Sequence, residues 1–250
     1  MIYEVRDKSF RNDESLRATI YKLVEPSYQD PTALIAREFE HCDTLYLAKD
    51  EDGNLVAFFM VAWETLNVSG ELLQAVYLGL SATSEDTKNT GIVRELYSHF
   101  ISDGARWEQR TGRKLLLWAT TATPSAFYAA HIFFKETQPD FEGRYSQESA
   151  EIAQHLHRRM GVSTKDVGSH PFVLRNMATN TRYSETELAR IELICRKKNF
   201  LLFDGLGINE RNGDRLLLIC RIPKFTAETV PPISIHPPTP TPTNSPEWHA

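Results

Sequence analysis

The feature that most constrains the fold of this chain is a long amphipathic helix placed between two apolar strands. The helix, predicted from about Gly91 to Arg110, repeats apolar residues every three or four positions, so one face is suited to cover a sheet. Residues 72–80 before it and residues 114–120 after it are apolar segments of strand length. Because a connection of this length joins parallel strands, the unit predicts a parallel strand pair in an α/β fold.

The chain before this unit is predicted to form an antiparallel meander. Asp52 and Gly53 lie between two apolar segments, which is the sequence signal of a hairpin. Asp30 followed by Pro31 is typical of a helix start. The predicted elements are a strand at residues 2–5, helices at 16–24 and from 30 onward, and strands at 44–48, 55–63 and 72–80.

The chain after this unit is predicted to continue with helices and closing strands. One helix begins at Thr123 and Pro124 and runs through Tyr128 toward Phe134. The other expected elements are helices at 146–160 and 184–198, a mostly loop segment at 161–183, and strands at 200–203 and 215–222. This order predicts an α/β protein of the α+β type, with a central mixed β-sheet flanked by helices.

The C-terminal residues differ in composition from the rest of the chain. Seven of the thirteen prolines lie in residues 231–250, and this segment has few residues that can build a core. We therefore predict a domain at residues 1–225 and a disordered Pro/Thr-rich tail at 226–250. Proline-rich segments bind aromatic grooves, so a proline-recognising partner is expected for the tail.

Charge and cysteine content argue against several classes of protein. The net charge of −5 does not favour a nucleic-acid partner, which needs a basic face. Three cysteines without CxxC spacing, and histidines without a metal-binding spacing, argue against a disulfide framework or a metal site. The chain has no signal-peptide pattern and no apolar segment long enough to cross a membrane. The expected location is therefore cytoplasmic, with no membrane partner.

The order of elements resembles the GNAT acyltransferase superfamily, over residues 2–134 and again over the closing strands at 200–222. Residues 138–199 have no counterpart in that pattern and are interpreted as a family-specific insertion. The resemblance implies a GNAT-like fold, in which the fourth and fifth strands splay apart and admit the pantetheine arm of acyl-CoA. It also implies that the fourth strand holds this arm through Leu80, Ser81 and Ala82.

Residues 86–91, DTKNTG, occupy the position of the family's phosphate-binding signature, Q/R-x-x-G-x-G/A. Gly91 matches its last glycine. Asn89 replaces the first, and asparagine tolerates the positive φ that such a turn needs. Asp86 departs from the signature, which has a long polar or cationic residue there. Free N–H groups at a helix N-terminus bind phosphate. The cofactor-binding residues implied here are Lys88, Asn89, Thr90, Gly91 and Ile92.

Residues 123–134, TPSAFYAAHIFF, resemble the family segment that follows the fifth strand. Tyr128 falls where the family places a tyrosine near the thioester sulfur, which implies a general acid that protonates the departing thiolate. The alternative is a core aromatic residue on an amphipathic helix. Glu64, at the end of the third strand, is the candidate general base. Its alternative is a solvated carboxylate at a strand end.

Two hypotheses of function remain open at this point. The first is an acyl-CoA-dependent N-acyltransferase, with acetyl-CoA as the expected donor and an amine of unknown identity as acceptor, acting by direct transfer. The second is a non-catalytic GNAT-like module that binds or regulates a protein complex. A more remote option is an acyl-carrier protein as donor. A homodimer is left open.

Overall fold

The computed structural model describes residues 1–88, 90–162, 170–179, 181–198 and 202–223, and the strands within these ranges form one mixed sheet. The strands are β1 (Ile2–Arg6), β2 (Thr44–Lys49), β3 (Leu55–Val68), β4 (Glu71–Thr83), β5 (Leu115–Thr121), β6 (Lys135–Gln138), β7 (Val173–Leu174) and β8 (Arg215–Arg221). The helices are α1 (Glu14–Val24), α2 (Pro31–His41), α3 (Ile92–Thr111), α4 (Pro124–Phe133), α5 (Gln147–Arg159), α6 (Glu185–Lys198) and α7 (Leu202–Gly205).

The spatial order of the sheet is β1-β2-β3-β4-β5-β8-β6, and β7 pairs with β8 beside β6. β2, β3 and β4 form the predicted antiparallel meander, and β1 pairs antiparallel with β2 at its edge. Between β4 and β5 the chain passes through α3, and these two strands are parallel, as the crossover unit predicts. β8 then pairs with β5 in the antiparallel direction. The predicted mixed sheet flanked by helices is confirmed.

Helices cover both faces of the sheet. On one face, α3 packs Phe100 edge-on against Phe59 of β3, with ring centroids 5.6 Å apart. On the other, α2 brings Glu38 to the hydroxyl of Tyr77 in β4. The start of α2 follows the prediction, because Asp30 caps the helix by accepting the N–H of Thr32 and Pro31 occupies the first turn. Residues from both α2 and α3 line the cavity between β4 and β5.

The region interpreted as an insertion, residues 138–199, packs onto the rest of the domain. α5 contacts β3 and β8, and α6 contacts α4. Two short strands, β6 and β7, were not predicted from the sequence. Among the described residues, no helix combines the length and the apolar character that a membrane span requires.

One strand prediction is wrong. The segment 200–203 was expected to be a strand, but Leu202–Gly205 form the short helix α7, and residues 200 and 201 lie outside the described ranges. Phe203 is buried and packs edge-on against Phe127 of α4, with ring centroids 6.0 Å apart. A short apolar run does not distinguish a strand from a buried helical turn. The predicted tail at 226–250 also lies outside the described residues.

Candidate active site

β4 and β5 pair over four residues and then separate. Their last paired residues are Tyr77 and Trp118, which we call the vertex pair. Beyond it, β4 continues to Thr83 and β5 to Thr121 without pairing to each other. β4 also bulges here, because Phe59 pairs with Ser81 whereas Val61 pairs with Leu78. A bulge bends a strand and increases its twist, and this one lies where β4 leaves β5.

The divergence opens a cavity of about 420 Å³ between the two strands. Its floor is formed by residues 78–83 of β4 and 119–121 of β5. Small residues on one face of α4 form part of the wall, namely Ser125, Ala126, Ala129 and Ala130. Parts of the inserted region, including Met160, Met177, Tyr183 and Arg190, close the far side. The unpaired edge of β4 and the charged side chains of the lining therefore face the same cavity.

Glu38 of α2 is the carboxylate at the floor of this cavity. It is 1% exposed and accepts hydrogen bonds from the hydroxyl of Tyr77 at 3.2 Å and from the backbone N–H of Leu80 at 3.3 Å. Arg37 forms an ion pair with it at 3.1 Å. The bulge thus turns a β4 amide toward a side chain rather than toward a neighbouring strand. A buried carboxylate with these donors is held in one orientation beside the divergence of the strands.

Gly79 is what allows this approach. A Cβ atom at this position would lie 2.6 Å from Oε2 of Glu38 and 2.9 Å from Sγ of Cys42. Contacts of that length do not occur without displacement of one partner. Glycine at this point of β4 therefore lets the helix carboxylate reach the strand backbone.

Glu64, the predicted base, is buried away from the cavity. It lies on β3, where it accepts a hydrogen bond from Nε1 of Trp118 and forms an ion pair with Arg159 at the end of α5. Burial raises the pKa of this carboxyl, and the charge of Arg159 opposes that shift. Glu64 is not among the residues that line the cavity. Glu64 thus forms a buried ion pair beside Trp118 and does not border the cavity. This placement does not support a role as base.

The predicted cofactor-binding residues fall into two groups. Leu80, Ser81, Ala82 and Lys88 line the cavity. Thr90, Gly91 and Ile92 lie at the start of α3 and are not among its lining residues, whereas Val93 is. Asn89 lies outside the described residues. Their roles stay predictions.

The backbone at the start of α3 has the form expected of the signature. Gly91 is the N-cap residue, with φ of 92°, a conformation that favours glycine. Lys88 is near this turn, and its ammonium pairs with Glu85. Asp86, where the signature has a long polar or cationic residue, lies in the short turn Glu85–Thr87 that precedes this helix.

Tyr128, the predicted acid, lies on the outer side of α4. Its side chain is 40% exposed, its ring packs against Phe141, and it does not line the cavity. Tyr97 of α3 does line the cavity, and burial raises the pKa of its phenol. Its ring stacks on Phe133, with centroids 5.3 Å apart. The helix period explains the difference, since residues 126, 129, 130 and 133 share the cavity face and residue 128 does not.

Glu38 and Tyr97 were not found by sequence reasoning. A signal for Glu38 was present, because it interrupts the apolar stripe of α2, four residues after Leu34 and beside Phe39. A glutamate on a buried helix face needs partners, and here it has them. Tyr97 gave no such signal, since an aromatic residue on the apolar face of a long helix is usual. In the part of the chain that the structure describes, no cluster of three or more histidine, cysteine, aspartate or glutamate side chains is arranged to hold a metal ion.

Comparison with known proteins finds similarity in solved structures only. No family model matches the chain, and no curated protein matches its sequence. A GNAT-family N-acetyltransferase of Escherichia coli, solved in complex with CoA, is 18% identical, with a TM-score of 0.38 over 52% of this chain and 67% of that one. The ribosomal-protein-S18-alanine N-acetyltransferase of Escherichia coli is 12% identical, with a TM-score of 0.44 over 92% of this chain and 99% of that one.

A third similar structure is a probable N-acyltransferase of Enterococcus faecalis V583. It is 14% identical, with a TM-score of 0.38 over 54% of this chain, and the match spans 33% of that protein's length. The solved structures similar to this chain thus include N-acetyltransferases of the family that its sequence resembles. At identities of 12–18% and TM-scores below 0.5, this similarity carries no conclusion about activity.

Proposed function

We propose that the chain is an acyl-CoA-dependent N-acyltransferase that transfers its acyl group directly to an amine, with acetyl-CoA as donor. The observation that supports this proposal is the separation of two parallel strands beyond Tyr77 and Trp118, with a cavity of about 420 Å³ between them. An unpaired strand edge binds extended chains that carry amide groups. The pantetheine arm of CoA is such a chain, and residues 78–83 of β4 present such an edge.

The start of α3 fits the phosphate groups of this donor. Its first backbone N–H groups have no partner within the helix, and the positive end of the helix dipole lies behind them. Lys88 lines the cavity beside this turn and adds a cation, although Glu85 shares its charge. An anion with several negative charges competes with a single carboxylate for that lysine.

Glu38 is the proposed proton acceptor for the amine. The amine nitrogen forms a bond to the thioester carbonyl carbon, the carbon–sulfur bond breaks, and the electron pair leaves with sulfur as a thiolate. An acceptor that enters as an ammonium first gives one proton to the carboxylate of Glu38, which lines the same cavity, and the neutral amine then attacks. Its second proton is lost as the amide forms and replaces the proton that the thiolate takes up from its donor. Most of the acceleration comes from holding donor and amine together, so no covalent enzyme intermediate is needed.

The thiolate takes up a proton, and Tyr97 is the phenol positioned to supply it. Tyr97 lines the cavity, and its phenol, like that of any tyrosine below a pKa of about 10, carries its proton at neutral pH. Burial raises this pKa further, so proton donation depends on the thiolate formed beside it. The resemblance assigned the role of acid to Tyr128, and Glu64 was the first candidate base. Variants at these two positions therefore serve as comparisons for variants at Tyr97 and Glu38.

The test of this proposal is calorimetric titration with acetyl-CoA and with acetyl-pantetheine, which lacks the phosphates. We expect acetyl-CoA to bind with a Kd in the micromolar range. Lys88→Gln is expected to weaken acetyl-CoA binding about tenfold and to leave acetyl-pantetheine unchanged, because only one charged contact is lost. Lys114→Gln is the matched control, since Lys114 also pairs with a glutamate, Glu108, but lies at the start of β5 outside the cavity.

Each result bears on one hypothesis. Absence of acetyl-CoA binding contradicts the proposal. Micromolar binding without release of free CoA thiol, across a broad panel of amines, favours the non-catalytic binding module instead. Equal effects of Lys88→Gln and Lys114→Gln place the phosphates elsewhere.

A further inference from the structure

The end of the cavity beyond Glu38 is roofed by two chain segments that pair with each other. We call residues 26–29 and 182–184 the cover. The N–H of Gln29 donates to the carbonyl of Arg182 at 3.0 Å, and the N–H of Ser184 donates to the carbonyl of Ser27 at 2.9 Å. The rings of Tyr28 and Tyr183 stack with centroids 4.8 Å apart. The cover limits the part of the cavity that is left for an acceptor. This limit favours a small molecule as the acceptor.

Three ion pairs surround this space, and their charges balance. Arg37 pairs with Glu38 at 3.1 Å, Arg190 pairs with Glu187 through both carboxylate oxygens, and Arg215 pairs with Glu210 at 3.6 Å. All of these side chains except Glu210 line the cavity. An added unpaired charge is costly in such a site. A ligand with no net charge but with ionic groups of both signs adds none.

Groups of both signs line the same part of the molecule as the stacked tyrosines. Glu38, Arg215, Tyr28 and Tyr183 all line the cavity. The guanidinium of Arg215 lies 5.8 Å from the ring centroid of Tyr183. A carboxylate, a guanidinium and aromatic surface therefore border one cavity.

Arg215 has donors to spare for a ligand. It is 7% exposed, and it donates to the carbonyl oxygens of Asp214 and Thr181 at 2.8 and 2.9 Å. A guanidinium carries five N–H groups in a fixed plane. Two bonds to carbonyls fix that plane, and Glu210 lies 3.6 Å from one of its nitrogens. The remaining N–H groups are left for an anionic group, in the geometry that suits a carboxylate.

We infer that the acceptor is a small zwitterionic amine, with its amino group at Glu38 and a carboxylate or similar anionic group at Arg215 under the cover. An amino acid is the simplest molecule of this class. The inference rests on the proposed function, because it assigns the second substrate of the same cavity.

The experiment compares acceptors that differ in one charged group. Phenylalanine is paired with phenylalanine amide and with phenethylamine, and leucine is paired with leucinamide. Release of CoA thiol from acetyl-CoA gives kcat/KM, and mass spectrometry identifies the acetylated amine. We expect the acids to exceed their uncharged partners about 10- to 100-fold in kcat/KM, the size of one charged hydrogen bond. Equal rates for acid and amide overturn the inference, as does acetylation of a short peptide at the rate of the free amino acid.

Arg215→Met is expected to reduce this preference to about one by slowing the acids alone, and Arg215→Lys is expected to restore part of it. Arg221→Gln is the control, because Arg221 lies at the other end of the same strand and pairs with Glu148. If Arg215→Met does not fold, the acceptor pairs measured on the unaltered protein decide the question. Binding of acetyl-CoA distinguishes failure of the acceptor assignment from failure of the proposed function. If acetyl-CoA binds but the acids show no preference, only the acceptor assignment fails, whereas no binding removes the proposed function as well.

Discussion

Two buried glutamates lie on either side of the vertex pair, and they differ in what can reach them. Glu38 accepts a hydrogen bond from Tyr77, and Glu64 accepts one from Trp118. Both are less than 10% exposed. Each also pairs with an arginine, Glu38 with Arg37 and Glu64 with Arg159. Glu38 is among the residues that line the cavity, whereas Glu64 is not. The comparison teaches that burial, hydrogen bonding and ion pairing alone do not separate two carboxylates, because the two differ in whether they border the cavity.

The largest effect expected from this difference is the loss of turnover in Glu38→Gln. We expect kcat to fall about 10²- to 10⁴-fold, because glutamine cannot accept the amine proton. Tyr77 and Leu80 donate to different oxygens of this carboxylate, so the single amide oxygen of glutamine keeps only one of the two bonds, and the free energy of unfolding is expected to fall by about 1–3 kcal/mol. The Kd for acetyl-CoA is expected to stay close to that of the parent, and kcat is compared at a temperature at which both proteins are folded. Steady-state release of CoA thiol measures kcat, and thermal melts measure stability. Unchanged kcat in a folded variant contradicts the role of Glu38.

Glu64→Gln is expected to act on stability instead. Removing this charge leaves Arg159 buried without its partner, which costs about 3–5 kcal/mol in other proteins. Urea unfolding followed by tryptophan fluorescence measures the free energy of unfolding. The double variant Glu64→Gln/Arg159→Met is the matched control, because it removes both charges, and we expect it to recover most of the loss. A large fall in kcat at full stability would return Glu64 to the position of base.

A smaller effect, a loss of stability that involves the regions of both Glu38 and Glu64, is expected at acidic pH. His41 lies beside Tyr77, and His157 lies two residues before Arg159. Burial lowers the pKa of each to about 4. The unfolded chain, with a histidine pKa of about 6.5, then binds more protons than the folded one between these values. Stability is therefore complete above pH 6.5 and falls as the pH drops toward 4.

The fall is expected to be at most about 1.4 kcal/mol per pH unit for each histidine. Unfolding in urea at pH 7, 6 and 5 measures it. His157→Gln should make the dependence shallower, and more so than His155→Gln, because His155 is less buried although burial lowers its pKa as well. A free energy of unfolding that stays constant from pH 7 to 5 contradicts burial of these two rings as neutral groups.

The smallest effect is expected for Tyr128→Phe. Because the ring is 40% exposed and lies off the cavity, we expect kcat within about twofold of the parent and a change in stability within about 0.5 kcal/mol. Tyr97→Phe, at the cavity, is the paired variant, with an expected loss in kcat of about 10²-fold or more. A loss of that size in Tyr128→Phe instead would support the role that the resemblance assigned to it.

The parts of this fold that sequence predicts are those set by local pattern. The apolar period of α3, the run KLLLWAT of β5 and the Asp30-Pro31 start of α2 each specify an element without reference to the rest of the chain. The crossover rule then fixes the parallel pair. The start of α3 at Gly91 was predicted in the same way, and the φ of 92° there is a local requirement that glycine meets.

The parts that were missed depend on contacts between distant segments. Nothing in the local sequence of β4 shows that Gly79 meets a helix carboxylate 41 residues earlier in the chain. The roles of acid and base were assigned to Tyr128 and Glu64 by their position along the chain. In the structure Tyr128 lies on a different face of α4 from the cavity, and Glu64 pairs with Arg159 of a later helix, so neither side chain lines the cavity. The apolar segment at 200–203 was misassigned for a different reason, since its period suits either element.

The bulge at Gly79 and Leu80 also bears on how an open strand edge is enclosed in this molecule. A strand that loses its neighbour exposes a row of N–H and C=O groups, and such an edge recruits strands from other molecules. Here the edge created by the divergence of β4 from β5 lies beside the cavity, with α4 and the inserted region also lining it, rather than at the rim of the sheet. Enclosure of this kind limits pairing with a strand of another protein, and the cavity beside the edge leaves open space next to the strand backbone.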